Sequence, residues 1–147
     1  MIDRPKFTEM TYNEFRSYDH NWPSCVERHG KFDSVELKMD GIWGCMVIAD
    51  GKYTIYSRTG KEKQTGDIKH TVDMILLGEF MKGSHWGHKM GFDGCFFIFD
   101  CLQFKKDLKN LQLITRRKYI KKAIRDIQIK NESFDKDDEF GWIRRLP

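Results

Sequence analysis

The chain has 147 residues, of which 39% are hydrophobic and 33% charged, and its net charge is +4. That length sets one domain as the default and lets about two thirds of the unfolded surface be buried. Aromatic residues reach 14%, which excludes a disordered chain, and the modest positive charge suits a phosphate-bearing partner without demanding one. Cys25, Cys45, Cys95 and Cys101 form no CxxC pair. Buried free thiols are expected in place of zinc or disulfides. The sequence carries neither a signal peptide nor a long apolar run, so a cytoplasmic, intracellular protein with no membrane contact is expected.

Thr11-Tyr12-Asn13-Glu14 reads as a capping box ahead of a short helix from Tyr12 to Tyr18. Pro23 and Gly30 mark the following segment as loop. Phe32 to Ile48 reads as two strands joined at Asp40-Gly41. In the first, Glu36 and Lys38 share one face while Val35, Leu37 and Met39 take the other. Ala49 to Lys52 reads as a hairpin connection, and Tyr53 to Arg58 as the next strand, with Arg58 on the face of Thr54 and Tyr56. Val72 to Phe80 is an apolar run that closes on Glu79. The glycine-rich segment Met81 to Gly94 reads as loop, and Cys95 to Asp100 as a buried strand. From Leu113 to Ile129 the period changes to helical, with Ile120, Ala123, Ile124 and Ile127 inward and Thr115 as a candidate cap. Arg116, Arg117, Lys118, Lys121, Lys122 and Arg125 give that helix a basic flank, which is either a solvated face or a seat for nucleic-acid phosphate. Residues 131 to 147 read as a charged tail. The expected architecture is α+β, a mostly antiparallel sheet with flanking helices.

Several strands thus each present one polar or aromatic residue near an edge. Lys38 is a candidate nucleophile for a nucleotide α-phosphate, once its amine is deprotonated. Arg58 would clamp phosphate oxygens. Glu79 would hold a ribose hydroxyl or Mg2+. Phe99 would stack on the base, and Glu36 would accept a hydrogen bond from an exocyclic amine and so favour adenine. Taken singly these residues have plainer uses. Lys38 suits a sheet-face ion pair with Glu36 or Asp40, Arg58 and Glu79 suit surface charges, and Phe99 suits the core. Asp40 and Asp100 suit turns. His85 and His88 lack an obvious third metal ligand and read as exposed loop.

KMDG at Lys38 to Gly41 resembles the signature of the covalent nucleotidyltransferases: ATP-dependent DNA ligases, RNA ligases and mRNA-capping guanylyltransferases. ELKMDG is closest to the DNA ligase form. SRTG at Ser57 to Gly60, LLGEF at Leu76 to Phe80 and FFIFD at Phe96 to Asp100 are similar to three further motifs of that family, in the family's order, within residues 32 to 102. The resemblance implies an incomplete ligase-type (ATP-grasp-like) adenylation core that uses ATP and Mg2+. Lys38 would be catalytic. Glu36, Arg58, Glu79 and Phe99 would bind the nucleotide, with Glu79 also at the metal. Nicked duplex DNA would be the partner, with RNA as the alternative, in the settings of repair, replication and recombination, and a phage-like origin fits a ligase so small. The chain departs from the family at Trp43, where an arginine is usual, and nothing after Leu102 resembles the family's EGxV strand or KxK pair. A fragment, one subunit completed by a second chain, and a truncated non-catalytic binder are the readings this leaves.

Overall fold

A computed structural model describes residues 39–146. The expected helix at Tyr12, the strand carrying Glu36 and Lys38, and Cys25 lie outside the described residues. The strands are β1 (Ile42–Ala49), β2 (Lys52–Ser57), β3 (Glu62–Asp67), β4 (Met74–Phe80), β5 (Phe96–Phe104), β6 (Lys106–Asp107) and β7 (Ile143–Arg145). The helices are α1 (His85–Lys89) and α2 (Leu113–Asn131). One sheet runs in the order β3-β2-β1-β4-β5-β6, and β7 also pairs with β5. Among the described residues every pairing is antiparallel except β5 with β7, so the α+β class and the mostly antiparallel sheet are as expected.

Local sequence explains the hairpins. Asp50 and Gly51 both have positive φ, 53° and 74°, which is what a two-residue primed turn between β1 and β2 requires. Ser57 closes β2, because its N–H donates to the Lys61 carbonyl and its own carbonyl accepts from Gly60 N–H. Arg58 therefore sits in a turn and not on the strand face of Thr54 and Tyr56. β3 was not expected: Glu62–Asp67 has no apolar alternation, and it forms by edge pairing with β2 and by the Thr54–Thr65 hydroxyl contact at 3.2 Å.

The main core lies on one sheet face. Met46, Ile48, Ile55, Met74, Leu76, Phe80, Phe96 and Ile98 pack against Ile120, Ala123 and Ile127 of α2. Burying each Ile of α2 contributes about 1.5–3 kcal/mol. α2 starts after Gln112, whose side chain makes no cap hydrogen bond, so Thr115 is not the cap. At its other end Asn131 accepts from Lys69 N–H (2.8 Å) and donates to the Ile127 carbonyl (2.9 Å), tying the β3–β4 connection to the helix. The segment expected as a tail instead supplies Phe140 and Ile143 to the core and adds β7 to the sheet. A smaller apolar cluster of Met39, Met81, Cys95 and Phe97 lies apart from the main one. Among the described residues no helix is long and apolar enough to cross a membrane.

Candidate functional site

At one end of the sheet, strand register aligns four residues in a row. Trp43 of β1 is opposite Glu79 of β4, Glu79 is opposite Phe97 of β5, and Phe97 is opposite Arg144 of β7. Phe80, beside Glu79, belongs to the main core, so alternation turns Glu79 to the other face of the sheet, away from α2.

The Asp40-Gly41 turn is seated against this row. Gly41 N–H donates to Glu79 Oε2 at 3.2 Å, across 38 residues of chain. The Ser84 hydroxyl donates to the Asp40 carbonyl. Met39 is buried in the smaller apolar cluster. A side chain at Gly41 would meet Met81 Sδ and the Phe80 carbonyl oxygen, each at 2.7 Å, so the close approach of the turn to β4 needs glycine. Lys38, the residue before Met39, and Glu36 lie outside the described residues.

Arg58 is exposed in the turn after β2 and lines a cavity of about 380 Å³ together with Trp43, Ser57, Thr59, Lys61 and Lys63. Trp43 is thus shared: it flanks Glu79 across the β1–β4 pair and walls the cavity that holds Arg58. Among the described residues three cations and no carboxylate line this cavity, and the Ser57 and Thr59 hydroxyls there are 3.0 Å apart. Such a lining suits a polyphosphate. Lys61 and Lys63 were not anticipated. Their alternation in a wholly polar stretch gives no signal until β3 is seen to pair with β2.

Phe99 sits where the β4–β5 register shifts: Gly78 pairs with Ile98 and Leu77 with Asp100, leaving Phe99 as the extra residue. Ile98 and Asp100 on either side both face α2, Ile98 in the core and Asp100 through Arg116, so Phe99 faces the Glu79 side. It is partly exposed and belongs to neither apolar cluster, as a stacking surface requires. The structure therefore joins the Asp40-Gly41 turn to Glu79, sets Trp43 between Glu79 and the Arg58 cavity, and places Phe99 on the Glu79 side of β5.

Asp100 does not shape a turn. It makes a two-point ion pair with Arg116 of α2, Nε to Oδ1 at 2.8 Å and a terminal guanidinium nitrogen to Oδ2 at 2.9 Å, and it also accepts from Cys101 N–H. The Asp100 hydrogen bond holds the Arg116 guanidinium above its ordinary pKa. So one member of the basic flank is structural, while Lys118, Lys121, Lys122 and Arg125 remain exposed. Cys45, Cys95 and Cys101 are buried thiols, as expected. Burial pushes the Cys101 thiol up to about 12 and raises that of Cys95, where Arg144 partly offsets it. His85 and His88 are exposed on α1, and among the described residues no group of three or more His, Cys, Asp or Glu gathers to hold a metal.

No family model matches the chain, and no curated protein or solved structure matches it either.

Proposed function

We propose that this chain is the adenylation portion of an ATP-dependent polynucleotide ligase, a covalent nucleotidyltransferase. The observation that carries the reading is the hydrogen bond from Gly41 N–H to Glu79 Oε2, which joins the KMDG turn to the acid of LLGEF. Two motifs recognised separately in the sequence are in contact across the sheet, with Arg58 beyond Trp43 and Phe99 along β5. ELKMDG, with Glu36 ahead of the lysine, supports ATP over GTP and DNA over RNA.

In this reading the Lys38 amine attacks the α-phosphorus of ATP. A P–N bond forms, the bond to pyrophosphate breaks, and the amine proton is lost. The adenylyl group then passes to a 5′-phosphate at a nick in duplex DNA, and the adjacent 3′-hydroxyl displaces AMP. Arg58, with Lys61 and Lys63 beside it, balances phosphate charge. Glu79 fixes the KMDG turn and faces the ribose. Phe99 stacks on the adenine. One carboxylate together with substrate phosphates and waters fits Mg2+, which is seldom caged by protein alone, so Glu79 is the residue that would hold it. The ion would supply charge neutralisation at the leaving pyrophosphate.

The test is incubation with Mg2+ and nucleotide carrying label on the α-phosphate, in parallel for ATP and GTP. Label that stays on the denatured protein, survives alkali and is released by acid, from ATP alone and abolished by Lys38→Ala, is expected. Label from GTP alone would move the reading to a capping-type enzyme. No label on folded protein would overturn it.

A further inference from the structure

On the far side of the sheet from Glu79, α2 shows a second face. Lys121, Ile124, Arg125 and Ile129 recur one strip away from the buried Ile120, Ala123 and Ile127, and they line a groove of about 570 Å³. Its opposite wall is Phe134 and Arg145. We propose that this groove docks an acidic peptide segment of a partner protein, with its carboxylates on Lys121, Arg125 and Arg145 and its apolar side chains on Ile124, Ile129 and Phe134.

Phe134 is 65% exposed and Ile129 51% exposed, large apolar groups that the fold itself does not bury. Phe134 is held there by an ordered turn. The Asp138 carboxylate accepts from Phe134 N–H (2.6 Å) and Asp135 N–H (2.7 Å), and Asp138 N–H donates to the Asp135 carbonyl (3.2 Å). With the backbone at Phe134 already fixed, a covering ligand need order only the ring's two side-chain torsions, and aromatic residues and Arg are common anchors of protein interfaces.

Charge selects the occupant. Among the described residues the groove is lined by three cations and no carboxylate. Lys121 and Ile129 are about 12 Å apart along the helix, so Lys121 and Arg125 lie near its middle and Ile129 near its end, with Phe134 and Arg145 across the groove. The partial negative charge at the end of α2 opposes an anion beside Ile129, which reinforces that polarity. Beyond Phe134 the chain carries Asp135, Asp137, Asp138 and Glu139, with Glu132 just before it. A continuous polyanion such as nucleic acid would run into those five carboxylates. A second copy joined through the same patch would set Lys121, Arg125 and Arg145 against themselves. A peptide acidic at one end and apolar at the other meets neither obstacle. Because α2 lies opposite Glu79, such a partner leaves the candidate nucleotide face open, and the inference does not depend on the proposed activity.

The probe is a short fluorescein-labelled peptide with Asp and Glu in its first half and Leu and Phe in its second. Controls are the same peptide with Lys replacing its acids and a fluorescein-labelled oligodeoxythymidine. Anisotropy titrations with the full chain should show saturable binding of the acidic peptide alone. Phe134→Ala and the double change Lys121→Glu with Arg125→Glu should each weaken it at least about tenfold. These side chains are exposed, and circular dichroism checks that both variants fold. Backbone amide shifts on titration should concentrate in α2 and residues 132–145. Failure of the acidic peptide to bind, binding indifferent to both variants, tighter binding of the oligonucleotide through this groove, or self-association lost on Phe134→Ala would each overturn the proposal.

Discussion

Replacing Glu79 by Ala removes the acceptor for Gly41 N–H, which lies 3.2 Å from Oε2. A hydrogen bond to a charged group contributes about 1.5–3 kcal/mol net, and the partial exposure of this one argues for the lower bound. A local opening free energy lower by about 1.4 kcal/mol speeds amide exchange about tenfold. Glu79→Ala should therefore accelerate Gly41 exchange about tenfold, measured by proton–deuterium exchange with NMR detection. Glu79→Gln keeps a carbonyl acceptor at the same place and should change it by less than about threefold. Amides deep in β4 and β5 should be unaffected in both, since the core on the α2 face is untouched. Gly41 exchange unchanged in Glu79→Ala would refute the idea that this acid holds the KMDG turn. Equal effects of Ala and Gln would assign the contribution to something other than an acceptor.

Arg116→Ala strands Asp100, a residue only 7% exposed, without its guanidinium partner. It should destabilise the fold by about 3 kcal/mol in urea or thermal unfolding, and a loss below about 1 kcal/mol would contradict a structural ion pair. Cys101, with its thiol held near 12 against an ordinary 9.0, binds its proton more tightly folded than unfolded. Its contribution is fully present below pH 9 and is lost as pH rises from about 9 toward 12, with a slope up to about 1.4 kcal/mol per pH unit. Cys101→Ala should flatten that part of the stability–pH profile, and native Cys101 should resist alkylation at pH 8. Gly78→Ala would drive a methyl group into the Phe97 carbonyl and the Phe96 ring, costing about 1–3 kcal/mol and lowering the unfolding midpoint. Arg58→Ala should reduce adenylyl transfer at least about tenfold while leaving stability within about 0.5 kcal/mol, because the side chain is exposed in a turn.

The central strands were legible because their apolar content is what makes them strands. Ile42–Ala49, Met74–Phe80 and Phe96–Phe104 overlap the expected runs, and the Asp50-Gly51 turn was readable from its two residue types. Boundaries moved where hydrogen bonding outweighed composition. Arg58 left its strand at the Ser57–Lys61 turn, and β5 ran on to Phe104 past the charged Asp100 because Arg116 neutralises it. The unanticipated strands are those formed by partners and not by pattern: β3 has an all-polar sequence on an edge, and β7 is three residues, two of them arginine. Phe140 and Ile143 were overlooked because acidic neighbours dominate that stretch, although both face inward. Of the candidate site, single residues could be chosen from motifs, but the cationic company of Arg58 could not, since Lys61 and Lys63 acquire meaning only once β3 pairs with β2.

The proposed chemistry turns on one amine, that of Lys38. Purified chain incubated with ATP and Mg2+, then digested and sequenced by tandem mass spectrometry, reports which residue carries the adenylyl group. The account predicts AMP on Lys38 through an alkali-stable, acid-labile phosphoramidate, with none in Lys38→Ala. Folded protein that leaves Lys38 unmodified, or that carries AMP on another residue, would contradict it.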